Sequence, residues 1–371
     1  MKSIITANGV KYKLDDGPGY KMIEGPDYNL SFSKIIGSMR RWGKTHADQD
    51  DPCFSPVGPE LADVEITTSC SGTNGTPCKF CYKGNTPAGI NMSLGKFKKV
   101  LAALPKTVCQ IAFGVDATCT SNPDCWDIFN ACRKAHIIPN VTVANVDKET
   151  AEKLVGVMGA VAVSRYADKK VCYDSISNLR RAQADREFDR PNNSCGKPRQ
   201  PTKVNMHLML SEETYPLAVE TLNDYNTEWW GGSLVFLSLK QKGRGTSFTP
   251  LGDAKFRELI ALAEKLEVPI GFDSCLCHRY LACVEEGPWK SEIAMMCEPC
   301  EAGCFSLYIN AEGKVFPCSF IEGTEGWERG LKLVGRKRAD FLLRIWYHPS
   351  MVAWRKKLLA CGRQCPVYNI G

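Results

Sequence analysis

The 371-residue sequence has no apolar run approaching the length of a membrane span. Its first residues, Met1-Lys2-Ser3-Ile4-Ile5-Thr6-Ala7, lack the apolar core of a secretion signal. A membrane partner is not expected, and a cytoplasmic location is. Without secretion the usual setting for disulfides is missing, and the 19 cysteines are odd in number. A disulfide framework is therefore a poor account of them, and metal ligation in a reducing compartment is a better one. The sequence also offers no constellation that names a general base or a nucleophile. Apolar residues make up 44% of the chain, enough for a real core.

The chain is organised around residues 65–86, EITTSCSGTNGTPCKFCYKGNT. Cys70, Cys78 and Cys81 are spaced C-x7-C-x2-C within it. Val64–Thr68 is short and β-branched and reads as a strand. Ser71–Pro77 is too rich in turn residues for helix or strand, so the cysteines fall on a loop at the strand's carboxyl end. Three thiolates on one loop can hold three irons of a four-iron cluster and leave the fourth open for reaction. The competing readings are buried free thiols and a structural zinc site. Zinc would use a second C-x2-C pair, which Cys297 and Cys300 could supply.

Residues 1–60 carry turn signals at Asp15–Gly19 and Gly25–Asp27, with alternating segments between them that read as a β-hairpin. The stretch from Asp50 to Pro59 reads as a linker. From about residue 61, strand and helix patterns alternate. Strands are predicted at Val64–Thr68, Val108–Gly114, Ile137–Val143, Ala160–Ser164, Lys203–Leu210 and Ser233–Leu239. Helices are predicted at Ser93–Leu104, Asp124–Ala135, Lys148–Val155, Tyr173–Ala184, Glu212–Tyr225 and Asp253–Leu266. Ser93 and Asp124 have helix-cap chemistry. Six βα units with apolar strands argue an α/β fold with a parallel sheet covered by helices. A partial barrel and an open doubly wound sheet both fit the pattern, and in either the site lies at the carboxyl ends of the strands.

Residues 275–318 hold Cys275, Cys277, Cys283, Cys297, Cys300, Cys304 and Cys318, with Cys361 and Cys365 near the end. Phe305–Asn310 and Lys314–Pro317 flank a turn at Ala311-Glu312-Gly313 and read as a hairpin that returns Cys318 towards Cys304, with Cys300 on the entering loop. Cys275, Cys297, Cys361 or Cys365, or the substrate itself, could complete the set. Zinc and iron–sulfur cannot be told apart by spacing. Cys109, Cys119, Cys125, Cys132, Cys172 and Cys195 share no spacing and read as incidental thiols.

Cys78-Lys79-Phe80-Cys81-Tyr82 resembles the end of the cluster loop of the radical S-adenosylmethionine (radical SAM) superfamily. The family's usual loop is C-x3-C-x2-C with an aromatic before the last cysteine, and here it is longer by four residues between the first two. The resemblance implies a partial (β/α)6 radical SAM barrel over 61–272, a [4Fe-4S] cluster on Cys70, Cys78 and Cys81, and S-adenosylmethionine as cofactor. It also implies an electron donor such as flavodoxin or ferredoxin. Phe80 and Tyr82 would border the cofactor. Gly114 and Asp116 occupy the place of the family's glycine-rich turn after the second strand. Ser164, Arg165 and Asn205 lie where relatives contact the cofactor's ribose and carboxylate. His207, on the same strand as Asn205, reads as a core histidine. Lys242-Gly243-Arg244-Gly245 resembles the turn that closes the barrel in members with a SPASM or Twitch extension. Cys304 and Cys318, with Gly313 between them, resemble that extension's signature. One auxiliary iron–sulfur cluster is implied, in a domain at 273–371, with Cys275, Cys297, Cys300, Cys304 and Cys318 as its candidate ligands. The 1–60 lead-in is β-rich and does not resemble the winged-helix module of many peptide maturases.

Residues 328–357 carry nine basic residues against Glu328 and Asp340, interleaved with Phe341, Trp346, Tyr347 and Trp354. Dispersed cations suit phosphates and aromatic faces suit unstacked bases, so this segment suggests a DNA substrate carrying a modified base. Resemblance to phage-encoded members points the same way. A peptide substrate, as in most relatives with such an extension, is the alternative. Packing of the aromatics on the barrel is the competing account of the segment. A zinc-containing nucleic-acid-binding protein and an electron carrier are the remaining rivals to an enzyme.

Overall fold

The computed structural model describes residues 2–45, 52–188, 202–228, 231–284 and 290–370. Cys195 and the Asp50–Asp51 start of the expected linker lie outside them. The first strands, β1 (Lys2–Ala7), β2 (Val10–Asp16), β3 (Tyr20–Glu24), β4 (Asn29–Ser33) and β5 (Met39–Trp42), form an antiparallel sheet in sequence order. The expected hairpin is the β2–β3 pair, with Leu14 opposite Ile23. Alternation decides its faces: Tyr12, Leu14, Ile23, Leu30 and Phe32 are buried. The lead-in is thus a five-stranded meander rather than a single hairpin. The rest of the expected linker is also packed rather than loose. Ser55 and Val57 are fully buried, Ser55 N–H donates to the Cys304 carbonyl at 2.9 Å, and Thr107 Oγ1 donates to the Pro59 carbonyl.

The second sheet carries the βα units. It runs β6 (Leu61–Glu65), α1 (Leu94–Ala103), β7 (Gln110–Gly114), α2 (Cys125–Lys134), β8 (Ile138–Val143), α3 (Lys148–Val157) and β9 (Ala160–Ser164). It continues through α4 (Lys169–Phe188), β10 (Lys203–Leu210), α5 (Tyr215–Glu228), β11 (Leu234–Ser238), α6 (Asp253–Lys265) and β12 (Ile270–Phe272). Neighbouring strands from β6 to β12 are all parallel and lie in chain order. Residues from both ends of this row, Glu65 on β6 and Asp273 just past β12, line one cavity. The sheet therefore curls into a partial barrel. Ala62, Val64, Ile111, Val161, Val204 and Leu208 point outward under the helices and are buried. Many inward positions are small or polar, among them Asp63, Ala112, Gly114, Thr142 and Ser164, beside the larger Met209 and Leu237, and the interior is left hollow.

Helix ends follow local chemistry. Ser93 caps α1 by accepting from Lys96 N–H, and Asp147 caps α3 by accepting from Thr150 N–H. Asp124 makes no side-chain cap on its own helix. Its carboxylate instead accepts from Leu94 N–H at 2.8 Å, so it serves the neighbouring α1.

Beyond α7 (Cys277–Leu281) and α8 (Lys290–Met296), the chain makes β13 (Ser306–Ile309), β14 (Lys314–Phe316) and β15 (Leu331–Lys332), then α9 (Pro349–Ala360). The β13–β14 hairpin forms as expected. Its position is new: β13 pairs in parallel with β6, so the C-terminal region extends the barrel sheet by three strands. The aromatics of 328–357 are structural. Phe341, Trp346 and Trp354 are buried, Trp346 Nε1 donates to the Ser55 carbonyl at 2.7 Å, and Tyr347 Oη donates to the Pro56 carbonyl. Arg355 is buried under Trp346 and Phe54, and Arg338 donates to the Leu104 and Leu101 carbonyls. Packing, not base stacking, accounts for this segment's interleaved pattern. Among the described residues no helix is long and apolar enough to cross a membrane.

Candidate active site

The cysteine loop leaves β6 and returns to α1 beside its own start. Thr68 N–H donates to the Ile90 carbonyl, Cys70 N–H to the Thr86 carbonyl, and Met92 N–H to the Ile66 carbonyl. Glycine sets the path at Gly72, where φ is +74° and a Cβ would lie 1.9 Å from the Thr76 carbonyl oxygen. Gly72 N–H points at Cys70 Sγ, 3.3 Å away. Cys81 N–H donates to the Cys78 carbonyl at 3.3 Å, closing the C-x2-C turn.

The Gly243–Ser247 turn clamps this loop from across the barrel. Arg244 N–H donates to the Cys81 carbonyl at 3.0 Å, Arg244 Nε to the Cys78 carbonyl at 2.9 Å, and Arg244 Nη1 to the Asn85 carbonyl at 3.2 Å. Gly243 has φ +57°, and a Cβ there would meet the Tyr82 carbonyl oxygen at 2.4 Å. This close approach explains the glycine–arginine–glycine sequence.

Cys70, Cys78 and Cys81 all border a cavity of about 600 Å³ at the carboxyl ends of the barrel strands. The three are half-buried and free of disulfides. Burial pushes the Cys78 thiol up to about 11, opposed by a backbone hydrogen bond at Phe80. Metal binding would displace that proton. Free thiols on one cavity wall, a glycine cradle and an arginine clamp fit a group that three cysteines would hold, such as an iron–sulfur cluster. Phe80 sits edge-on between Tyr166 and Phe248, with centroids 5.4 and 5.6 Å away. Tyr82 lies against Phe320 at 4.2 Å.

Gly114, Asp116, Ser164 and Arg165 all reach the cavity wall, and Asn205 does not. The Asn205 side chain accepts from Ser233 N–H at 3.4 Å. Asp116 is committed to its own loop, accepting from Thr118 N–H, Thr118 Oγ1 and Ser121 N–H. Arg165 is buried, donates to Glu220 at 2.7 Å and to the Tyr166 carbonyl, and leaves Nε buried without a partner. His207, expected in the core, lines the cavity, where burial lowers it to about 4.

The sequence reading missed two charged pairs on the wall. Lys240 donates to Asp273 at 2.7 Å and to Ser238. Lys83 donates to Tyr308 at 2.7 Å, lies 3.3 Å from Glu65 and bonds Glu322, while Tyr308 Oη donates to Glu65 at 2.9 Å. Inward alternation on β6 was the available signal for Glu65. Lys240 and Asp273 are separated by a whole helix and left none.

A second cysteine group lies where the C-terminal region meets the barrel. Cys300 hydrogen-bonds Cys275, and that bond, with Lys240 alongside, holds Cys275 below the ordinary thiol range. Burial, with Cys275 and Cys365 near enough to add to it, pushes the Cys318 thiol up, and Cys275 and Cys365 border a common pocket. Cys304 is fully buried beside Arg363, Arg355 and Cys53, and Cys297 hydrogen-bonds Cys277. Among the described residues no three Cys, His, Asp or Glu side chains stand as ligands of one metal ion.

No family model and no curated protein matches the sequence. Solved structures do. The chain is similar to Streptococcus suis SuiB bound to precursor peptide SuiA, with TM-score 0.61 and 13% identity over 88% of this chain and 87% of that one. It is also similar to native anSMEcpe with bound AdoMet and the Cp18Cys peptide, with TM-score 0.51 and 13% identity over 78% of this chain and 82% of that one. At this identity the likeness carries the fold alone.

Proposed function

We propose that the chain is a radical SAM enzyme acting on a peptide. The observation that carries this reading is the convergence of Cys70, Cys78 and Cys81 on one cavity at the strand ends of a hollow barrel. A four-iron cluster there would supply the electron that splits S-adenosylmethionine and so generates a 5′-deoxyadenosyl radical. The protein's part is positioning. Arg244 fixes the loop, Phe80 and Tyr166 wall the cofactor side, and Gly114 leaves room beside Glu65. A flavodoxin- or ferredoxin-like donor would deliver the electron. Cys275, Cys300, Cys318 and Cys365 are the ligand set we assign to an auxiliary cluster. The solved likeness with a bound precursor peptide supports a peptide substrate. The burial of Phe341, Trp346 and Trp354 removes the stacking faces on which a DNA substrate would rest.

The test is anaerobic reconstitution with iron and sulfide, followed by AdoMet and a low-potential reductant. Formation of 5′-deoxyadenosine by the native chain, lost in Cys70→Ala, Cys78→Ala and Cys81→Ala, is the expected result. Cleavage that survives Cys78→Ala, or zinc in place of iron, would overturn it.

A further inference from the structure

Among the described residues the cavity wall holds one carboxylate with no hydrogen-bond or ion-pair partner. Asp63 and Glu65 are alternate residues of β6, so both project into the barrel. Glu65 is neutralised by Lys83 and hydrogen-bonded by Tyr308. Asp63 sits one step deeper, level with Ala112 on the neighbouring strand, and has neither hydrogen bond nor ion pair among the described residues. It is half-buried in the wall, and its carboxylate opens onto the cavity. Burial alone pushes it up to about 7.

The cations on the same wall are committed elsewhere. Lys83 serves Glu65 and Glu322, Lys240 serves Asp273, Arg165 serves Glu220, and Arg244 serves backbone carbonyls. An ionised carboxylate left unpaired in such a place is costly, and a matching cation from outside removes that cost. Ala112, Gly114 and Thr142 leave the space above it open.

Resting on the radical SAM reading, we propose that Asp63 is the specificity-determining carboxylate for the substrate. It takes the charged end of a lysine or arginine side chain that reaches down into the barrel from a bound peptide. The long apolar stem of such a side chain would pass Tyr82 and Phe320, which border the same cavity.

The test uses the cluster-loaded full chain with AdoMet and two capped tripeptides, Ala-Lys-Ala and its norleucine isostere. Calorimetric binding should favour the lysine peptide by about tenfold or more in the native chain, one charge-assisted contact's worth. Asp63→Asn should abolish the preference while AdoMet affinity stays unchanged. In the native chain the preference should also fade as pH drops through about 7, because a protonated Asp63 carries no charge, and this arm needs no variant. Equal binding of the two peptides, a preference that survives Asp63→Asn, or a loss of AdoMet affinity instead would overturn the proposal. Failure to form 5′-deoxyadenosine would overturn the radical SAM reading and leave the lysine preference measurable.

Discussion

Arg244 Nε donates to the carbonyl oxygen of Cys78, 2.9 Å away, across the mouth of the barrel. The last βα unit thereby holds the loop that follows the first strand. Removing the side chain frees two carbonyls, those of Cys78 and Asn85, while the Arg244 backbone bond to Cys81 remains. Arg244→Ala should therefore loosen the loop without unfolding the barrel, at a cost of roughly 1–3 kcal/mol for unsatisfied acceptors. Iron should leave the variant faster in the presence of a ferrous chelator. Arg244→Lys should recover only part of the retention, since an ammonium lacks the planar fork. Unchanged release from Arg244→Ala would remove the clamp from the account.

The second cysteine group gives a contrast between close neighbours in sequence. Cys365→Ala and Cys318→Ala should each lose the iron of the auxiliary site, about half the total if both clusters have four irons. Cys304→Ala should keep it, because Cys304 faces Arg355 and Arg363. Iron analysis of the three purified variants decides between this set and one containing Cys304.

His207 makes stability sensitive to acid. Burial lowers it to about 4, with Asp273 opposing, while in the unfolded chain it titrates near the ordinary value of about 6.5. Between those values the unfolded chain binds a proton that the folded chain does not. Stability from this residue is thus full above about pH 6.5 and is lost as pH falls towards 4. His207→Gln should flatten the melting-temperature curve over that window relative to the native chain. An unchanged slope would mean that the ring is hydrated in the cavity.

Trp346 is fully buried and ties the C-terminal region to Ser55 through its indole N–H. Trp346→Ala should destabilise the fold by about 3–5 kcal/mol, through the lost apolar contact and the cavity left behind. Denaturant unfolding measures this directly. Lys337→Glu, at an exposed position of the same segment, should change the midpoint little.

The barrel strands were legible because they are continuous apolar runs between turn signals. Ala160–Ser164 and Lys203–Leu210 fall where the pattern put them. β6 begins at Leu61 and ends at Glu65, short of the expected Thr68, because Thr67 and Thr68 already belong to the loop's own pairing with Asn91 and Ile90. β12 was missed: three residues with a central glycine are too short for any period. The loop cysteines could be read from spacing. The partners of Lys83 and Lys240 could not, since contacts between distant segments leave no local pattern. Spacing left the auxiliary group's fourth ligand open among Cys275, Cys297, Cys361, Cys365 and the substrate itself; that Cys365 lies close enough to Cys318 to raise its thiol left no local pattern.

The parallel pairing of β13 with β6 has a consequence for how the chain is made. During synthesis the first barrel strand leaves the ribosome long before the strand that will cover its outer edge. The five following βα units can dock onto its other side in the meantime, each soon after it emerges. Until β13 arrives, however, one row of β6 backbone groups stays open to any passing extended segment. Nascent chains stalled before residue 306 should therefore bind holdase chaperones more strongly than chains stalled after 316. The barrel is completed only near the end of translation, when its newest strand meets its oldest.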